Sequence, residues 1–456
     1  MSIVPDSFRD RYVCVLGLGY VGLTLSVAMA SAGFKVHGIE VREDVLELLR
    51  LGRAHFWEQG LEEKLKHVVA NGNFSASNSF TGVPSASVYI ITVGTPLNSS
   101  GRARLDMIEN ATRQICEHFT DGALVVLRST VKIGTARNVV SPILKATGKR
   151  FEIAVCPERT LEGKALTELS ELPQIIGSDE LETQFRASQL FNFLTPTTVA
   201  VSALETAEVV KLIDNTYRDV MFGFGNEVAR LCDAVGISAT EVIKAGKLGY
   251  QRTNVAMPGP VGGPCLEKDP HILAESARHF GIELDIAPAS RRVNERQPIE
   301  AANFIFTTAK NVSRFPAIPR ICLVGLAFKG YPATNDLRGT MAKPMLDALR
   351  TKFPRATFYG FDPVVELREI EKFGLEPLAT LEAAFGGQHL VVILNNHADL
   401  RDMAIEVFAA KMAKPGIIYD FWNLFAGQEI EMADDVSYFA LGSQMVSHGI
   451  KVRGGE

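Results

Sequence analysis

The stretch Tyr12-Val13-Cys14-Val15-Leu16-Gly17-Leu18-Gly19-Tyr20-Val21-Gly22 restricts the fold of this chain more than any other. A short apolar run reads as a strand and ends at Gly17. Three glycines follow at G-x-G-x-x-G spacing, then a helical apolar pattern over 23–32 that Gly33 stops. A second apolar run, 34–39, ends at Glu40. Alone, the glycines describe an ordinary strand–turn–helix. With the flanking strands and the terminal acid they predict a dinucleotide site. The first glycine makes the tight turn, and the helix N-terminus offers N–H groups and a positive dipole end to a pyrophosphate. Glu40 stands where an acid accepts from adenosine ribose hydroxyls. An acid there repels a 2′-phosphate, so NAD is expected rather than NADP, although Arg42 lies close by.

At 456 residues the chain exceeds one ordinary core, so two or three domains are expected. The 46% hydrophobic and 22% charged content is that of a globular protein. A net charge of −5 gives no footprint for nucleic acid or for a membrane surface. No apolar run reaches transmembrane length, and the N-terminal stretch, with acids ahead of its apolar run, reads as no signal peptide. Six cysteines occur at positions 14, 116, 156, 232, 265 and 322, without CxxC or zinc-type spacing. A reduced, cytoplasmic protein without a metal is expected. Only Cys265 stands in a loop of turn residues.

Apolar runs at 87–93, 124–127 and 151–155 read as buried strands, with helical stretches at 107–118 and 134–146 between them. This βαβ alternation predicts a parallel doubly wound sheet, whose ligands gather at the strands' carboxyl ends. Those ends carry Gly94-Thr95-Pro96, Arg128-Ser129-Thr130 and Cys156-Pro157-Glu158-Arg159. A long helix follows over 205–235, interrupted by Gly223 and Gly225, and it joins two domains. Lys211, Asn215 and Arg218 share one of its faces. A second helical stretch, 237–247, leads to the loop Gly262-Gly263-Pro264-Cys265-Leu266-Glu267-Lys268-Asp269-Pro270. Asp269 before Pro270 is a helix-start signal, with the Asp side chain expected to accept orphan N–H groups. Cys265 then precedes a helix N-terminus and neighbours Lys268, and both favour a thiolate nucleophile. Pro316 and Pro319 mark a boundary. Strand-like runs at 321–324, 357–360, 390–394 and 417–419 start a second α/β series with the modified loop Gly325-Leu326-Ala327-Phe328-Lys329-Gly330. The expected architecture is α/β: two Rossmann-like doubly wound parallel-sheet domains, 1–200 and 313–456, joined by a central helical domain, 201–312. Residues 451–456 are expected to be loose.

These parts suggest oxidation of an alcohol through a covalent thioester. An alcohol gives up a hydride, the Cys265 thiolate adds to the aldehyde, a second hydride leaves, and water releases a carboxylate. The cysteine is needed because an unhydrated aldehyde lacks an oxygen able to expel the second hydride. Lys211 is suited to stabilise the oxyanions or take a proton, and Asp269 to act as base or orient a water with Thr130. A single-step hydroxyacid-type dehydrogenase, or a nucleotide-binding scaffold without activity, remains the alternative.

The motifs GLGYVGL, VGTPL (93–97), RSTV (128–131), PER…EG (157–163), EVVKLIDNTYRDV (208–220), GGPCLEKDP and GLAFK (325–329), in this order, resemble the UDP-glucose/GDP-mannose dehydrogenase family. The resemblance covers nearly the whole chain. It implies two hydride transfers to NAD at a sugar C6 and release of a uronic acid. It implies Cys265 as nucleophile, Lys211 and Asp269 as acid/base and oxyanion groups, Asn215 at the oxyanion, Glu158 assisting the water or thioester step, and Thr130 positioning water. For NAD it implies Gly17, Gly19, Tyr20, Val21, Gly22, Glu40 and Arg42, with Thr95, Thr130, Glu162, Lys268 and Arg338. For the nucleotide sugar it implies Glu158, Arg159, Leu161, Glu162, Lys211 and Asn215. Arg218, Arg252, Asn254, Gly262, Phe328 and Lys329 complete that set, with Arg252 reaching a neighbouring subunit's substrate. The central helix would form a dimer core and the last domain would hold the UDP-sugar. Two features depart from the family: 330–337 is slightly longer than the common pattern, and Pro264 precedes the cysteine where many N-acetylhexosamine members carry histidine, while Lys268 is similar to the UDP-glucose and GDP-mannose members. NTYRDV, NEVARLCDAVGI and RRVNERQP (291–298) are most similar to members acting on UDP-N-acetylmannosamine or UDP-N-acetylglucosamine, in polysaccharide biosynthesis. Arg218, Asn226 or Asn294 would then meet the N-acetyl group. UDP-glucose, then GDP-mannose, are the alternatives.

Overall fold

A computed structural model describes residues 3–428 and 430–444. The segment 451–456, expected to be loose, lies outside the described residues. Contacts divide the chain into two units, Met1–Asn215 with Lys268–Glu283, and Thr216–Glu267 with Leu284–Glu456. Among the described residues no helix is long and apolar enough to cross a membrane.

The first unit is built on strands β1 (Tyr12–Leu16), β2 (Lys35–Ile39), β3 (Phe74–Ser77), β4 (Val88–Ile91), β5 (Ala123–Leu127), β6 (Phe151–Val155), β7 (Gln174–Gly177) and β8 (Thr198–Val201). They form one sheet in the order β3-β2-β1-β4-β5-β6-β7-β8. β4 and β5 are buried at every position, because helices cover both faces of a parallel sheet. The order reverses direction between β1 and β4, the switch point where such sheets open a crevice. The sheet is parallel from β3 to β6, but β7 pairs antiparallel with β6 at Val155 and Gly177. Strands β3, β7 and β8 escape sequence reading because each is only four residues long; β3 and β8 are edge strands with exposed positions, and β7, though buried throughout, offers only Ile175-Ile176 between Gln174 and Gly177. The helix expected over 134–146 is a π-helical turn, Ala136–Val140, followed by Ser141–Lys145. Pro142 has no N–H to give a regular α ladder at that junction.

The long helix runs Leu204–Val235. Its first turns, to Asn215, belong to the first unit. There Leu212 packs with Ile272, from helix Asp269–His279, and with Ala103. The remainder belongs to the second unit. Gly223 and Gly225 do not interrupt the helix; they admit neighbours. A Cβ at 223 would stand 2.8 Å from the Ser290 Cβ, and one at 225 would meet the Ala256 carbonyl oxygen.

The second unit carries β9 (Arg320–Val324), β10 (Thr357–Phe361), β11 (Glu376–Pro377), β12 (Leu390–Ile393), β13 (Gly416–Asp420) and β14 (Val436–Ala440). All pairings are parallel, in the order β11-β10-β9-β12-β13-β14. The switch point falls between β9 and β12. This sheet repeats the first sheet's opening turn. Gly17 (φ +90°) donates to the Ile39 carbonyl at 2.8 Å, and Gly325 (φ +82°) to the Phe361 carbonyl at 2.8 Å. An acid at the end of the second strand anchors each turn. Glu40 accepts from the Leu18 N–H at 2.9 Å, and Asp362 from the Leu326 N–H at 2.7 Å. Helices Ala239–Lys247, Ile286–Asn311 and Ala342–Lys352 contribute buried residues to the core of this unit.

Candidate active site

At the carboxyl edge of β1, Gly22 lies against Gly17 so closely that a Cβ would enter the Gly17 carbonyl oxygen. Gly19 is exposed, caps the helix Tyr20–Ala32 without a side-chain partner, and has open space where a Cβ would be. A backbone cradle of this kind, at a helix N-terminus, fits a pyrophosphate. Val21 is half-buried in the first turn of that helix. Glu40 is buried; its second oxygen accepts from the Arg42 N–H at 3.0 Å. Two accepted bonds leave a carboxylate lone pairs for ribose hydroxyls. The Arg42 guanidinium turns away to Asp44 at 2.6 Å. Tyr20 donates to Glu58, which also accepts from the N–H of Gly163 at 2.7 Å and of Ala165 at 2.8 Å. The glycine helix is thereby tied to the segment carrying Leu161 and Glu162. Leu161 N–H donates to Glu168 at 2.6 Å, and Glu162 is half-buried. Thr95 Oγ1 donates to the Thr130 carbonyl at 2.5 Å, joining the ends of β4 and β5. Together these groups fit NAD.

In the same unit, Arg128 is fully buried and donates to Glu158 (Nε, 3.1 Å), to Gln174 at 2.7 Å and to the Cys156 carbonyl at 3.1 Å. Glu158 accepts further from the N–H groups of Arg159 and Thr160, both at 2.7 Å. Burial opposes its ionisation. The Arg128 charge, the Thr160 N–H and Lys211 outweigh that, and hold the carboxyl below its usual range. Arg159 is committed to Asp214 at 3.0 Å. Lys211 and Asn215 are buried one turn apart on the long helix. Asn215 donates to Asp269 Oδ2 at 2.5 Å, and Lys268 Nζ donates to Oδ1 at 2.6 Å. Asp269 has no exposed surface. This corrects the capping expectation. Lys268 is the cap residue, Asp269 is already helical, and no side chain caps the turn. Its carboxylate instead serves the adjacent Lys268 and also Asn215, which sequence periodicity does not bring to it.

In the second unit Cys265 is exposed, while Cys14, Cys156, Cys232 and Cys322 are buried and Cys116 is half-buried. Gly263 (φ +94°) donates its N–H to the Gly339 carbonyl at 2.7 Å. A Cβ at 263 would enter the Phe328 ring, and one at 262 the Gly339 carbonyl. The cysteine loop therefore lies flush on the turn after β9. Lys329 Nζ stands 5.4 Å from the Phe328 ring centre. Arg338 is exposed and paired with Asp336 at 2.5 Å. Arg252 is exposed and stacks over Tyr250 at 4.7 Å; Arg218 and Asn254 are exposed. Asn226 and Asn294 do not fit the N-acetyl role. Both are wholly buried and bonded to each other at 2.9 Å.

Four buried groups carry structure that sequence reasoning does not assign. Arg128 and Glu208 stand inside the motifs RSTV and EVVKLIDNTYRDV, and Arg291 inside RRVNERQP, so those motifs are their signal. Glu58 has no local signal. Glu208 accepts from the N–H groups of Gly134 at 2.5 Å and Ala136 at 2.8 Å. Burial pushes its carboxyl up to about 7.

Three family models match in order. Residues 11–195 match the NAD binding domain of the UDP-glucose/GDP-mannose dehydrogenase family, 205–296 its central domain and 322–427 its UDP binding domain. The UDP-N-acetyl-D-mannosamine dehydrogenase of Pyrococcus horikoshii is 31% identical over 418 residues, 90% of this chain and 95% of that protein. A solved UDP-D-ManNAc dehydrogenase from the same organism superposes with a TM-score of 0.85 at 30% identity, over 95% of this chain and all of that one. A UDP-glucose dehydrogenase structure from Pyrobaculum islandicum gives 0.82 at 26% identity, over 96% and 99%.

Proposed function

Because this chain belongs to the UDP-glucose/GDP-mannose dehydrogenase family and is an NAD-dependent UDP-sugar dehydrogenase, we propose that it oxidises UDP-N-acetylmannosamine at C6 to the uronic acid, in two steps through Cys265. The observation carrying the covalent route is the exposure of Cys265 on a rigid glycine loop while the other described cysteines are buried or half-buried. NAD, when bound, supplies the hydride acceptor, a separate NAD for each of the two oxidations. Gly17, Gly19, Gly22, Glu40 and Thr95 would hold it.

In the first step the C6 hydroxyl proton passes to Lys211 or Asp269 as the C6 hydride leaves, giving the aldehyde. The Cys265 thiolate then adds to the aldehyde carbon. The new C–S bond turns the carbonyl into an oxyanion, which the Lys211 ammonium and the Asn215 amide stabilise. Collapse of that oxyanion expels the second hydride and leaves a thioester. A water oriented by Thr130, Glu158 or Asp269 attacks, the C–S bond breaks, and the thiolate returns with release of the carboxylate. Phe328 and Lys329 would receive the UDP portion.

The likeness to UDP-N-acetyl-D-mannosamine dehydrogenases supports the N-acetylmannosamine choice. UDP-glucose is the second reading, favoured by the Pyrobaculum islandicum structure. A homodimer through the long helix, working in the cytoplasm, completes the proposal. The test is to supply UDP-N-acetylmannosamine, UDP-N-acetylglucosamine, UDP-glucose and GDP-mannose with NAD and count NADH per sugar. Two NADH are expected, with UDP-N-acetylmannosamine the best substrate; one NADH and an aldehyde product overturns the thioester route. Cys265→Ser should bind both ligands and lose at least about a thousandfold in turnover. Wild-type turnover in that variant removes the cysteine from the mechanism.

A further inference from the structure

Beneath the cysteine loop lies a fully buried polar network. Arg291, on helix Ile286–Asn311, donates from Nη1 to the Leu266 carbonyl at 3.0 Å and from Nη2 to the Val261 carbonyl at 3.0 Å. These carbonyls bracket Cys265. The same guanidinium is paired with Asp219, on the long helix, at 2.7 Å, and its Nε lies 3.4 Å from Glu295. Asn294 donates to Asp219 Oδ1 at 2.9 Å and to the Asp219 carbonyl at 3.0 Å. Asn226 passes the connection on, donating to Asn294 and to the Gly259 carbonyl at 3.1 Å and accepting from the Gly259 N–H at 3.0 Å. Arg291, Asp219, Asn294 and Asn226 are each no more than 1% exposed. The loop is thus pinned from below at 259, 261 and 266, and from the side by Gly339.

A buried ion pair is a poor stabiliser, since packed apolar groups of the same volume often serve as well. Apolar side chains cannot, however, gather two converging carbonyls into one plane. A guanidinium can, because its donors form a rigid fork. We infer that Arg291, oriented by Asp219 and Asn294, is a positioning residue that fixes the loop carrying the nucleophile, with Asn226 setting the loop's start. This inference rests on the Cys265 reading above.

The test uses the full-length Arg291→Lys and Asn226→Ala variants beside Cys265→Ser. Folded protein is counted by stoichiometric NAD binding, which depends on the fingerprint of the other unit. Turnover per NAD-binding site should fall about a hundredfold in Arg291→Lys and about tenfold in Asn226→Ala, as a misplaced reacting group demands. The KM for the sugar nucleotide should stay within about twofold, because no ligand-binding group is touched. The rate at which iodoacetamide alkylates residue 265 should change in step with turnover. Loss of NAD-binding sites with wild-type turnover at each remaining one overturns the positioning role, leaving the network purely structural. Should Arg291→Lys yield no NAD-binding protein, the turnover of Asn226→Ala decides on the same criterion. A stalled Cys265→Ser with unaltered network variants rejects this inference alone; a fully active Cys265→Ser rejects the thioester reading.

Discussion

Gly263 shows how a single missing atom decides the placement of chemistry. Its backbone is left-handed at φ +94°, its N–H is committed to Gly339, and the Phe328 ring occupies the space a Cβ would need. Gly263→Ala must displace the ring or the loop, and strains the backbone by about 1–3 kcal/mol. We expect turnover to fall at least about tenfold while NAD affinity is kept, because the proposed NAD site is the Gly17–Gly22 turn. Equal losses of NAD affinity and turnover, measured by titration and steady-state kinetics, would count against this account. Buried polar residues behave similarly. Asp269 is legible in the sequence as a helix-start residue beside a proline. Its real partners, Asn215 and Lys268, include one residue 54 positions away, and only folding supplies it.

At the level of elements, the long helix couples the site to the β5 edge. Glu208 stands one turn before Lys211 and closes the turn after Thr130 by accepting from Gly134 and Ala136. Burial raises its carboxyl from 4.5 to about 7, and the two N–H groups only partly oppose this. Between those values the folded protein holds a proton that the unfolded chain has released. The resulting stability is complete below the unfolded value and is lost as pH rises through the folded one. Thermal or denaturant unfolding should therefore show wild type losing up to about 3 kcal/mol relative to Glu208→Gln from about pH 4 to pH 8. A difference that stays flat with pH would show that Glu208 does not titrate there. The fingerprint strand, turn, helix and acid were legible because each is a local pattern. The π-helical turn at Ala136–Val140, the edge strands β3 and β8 and the short interior strand β7 were not, since neighbours rather than periodicity set them.

On the scale of the whole molecule, the second-unit part of the long helix presents Tyr217, Phe224, Leu231 and Val235, which are 60%, 55%, 64% and 62% exposed. Steps of seven, seven and four residues place them along one stripe, the pattern of a helix awaiting a helical partner. Under the proposed homodimer, Phe224→Glu should halve the mass found by light scattering and leave NAD binding intact. A wild-type chain that is already monomeric at micromolar concentration sinks the dimer.

The sequence alone determined the two α/β halves, the NAD turn with its acid, the long helix and the unusual setting of Cys265. Each of these is written in glycine spacing, apolar periodicity or turn chemistry within a few dozen residues. Tertiary structure decided which polar groups meet: Arg128 with Glu158, Asn215 with Asp269, and Arg291 with the carbonyls of Val261 and Leu266. A buried charge must find its partner wherever packing puts one, and no local pattern encodes where that is.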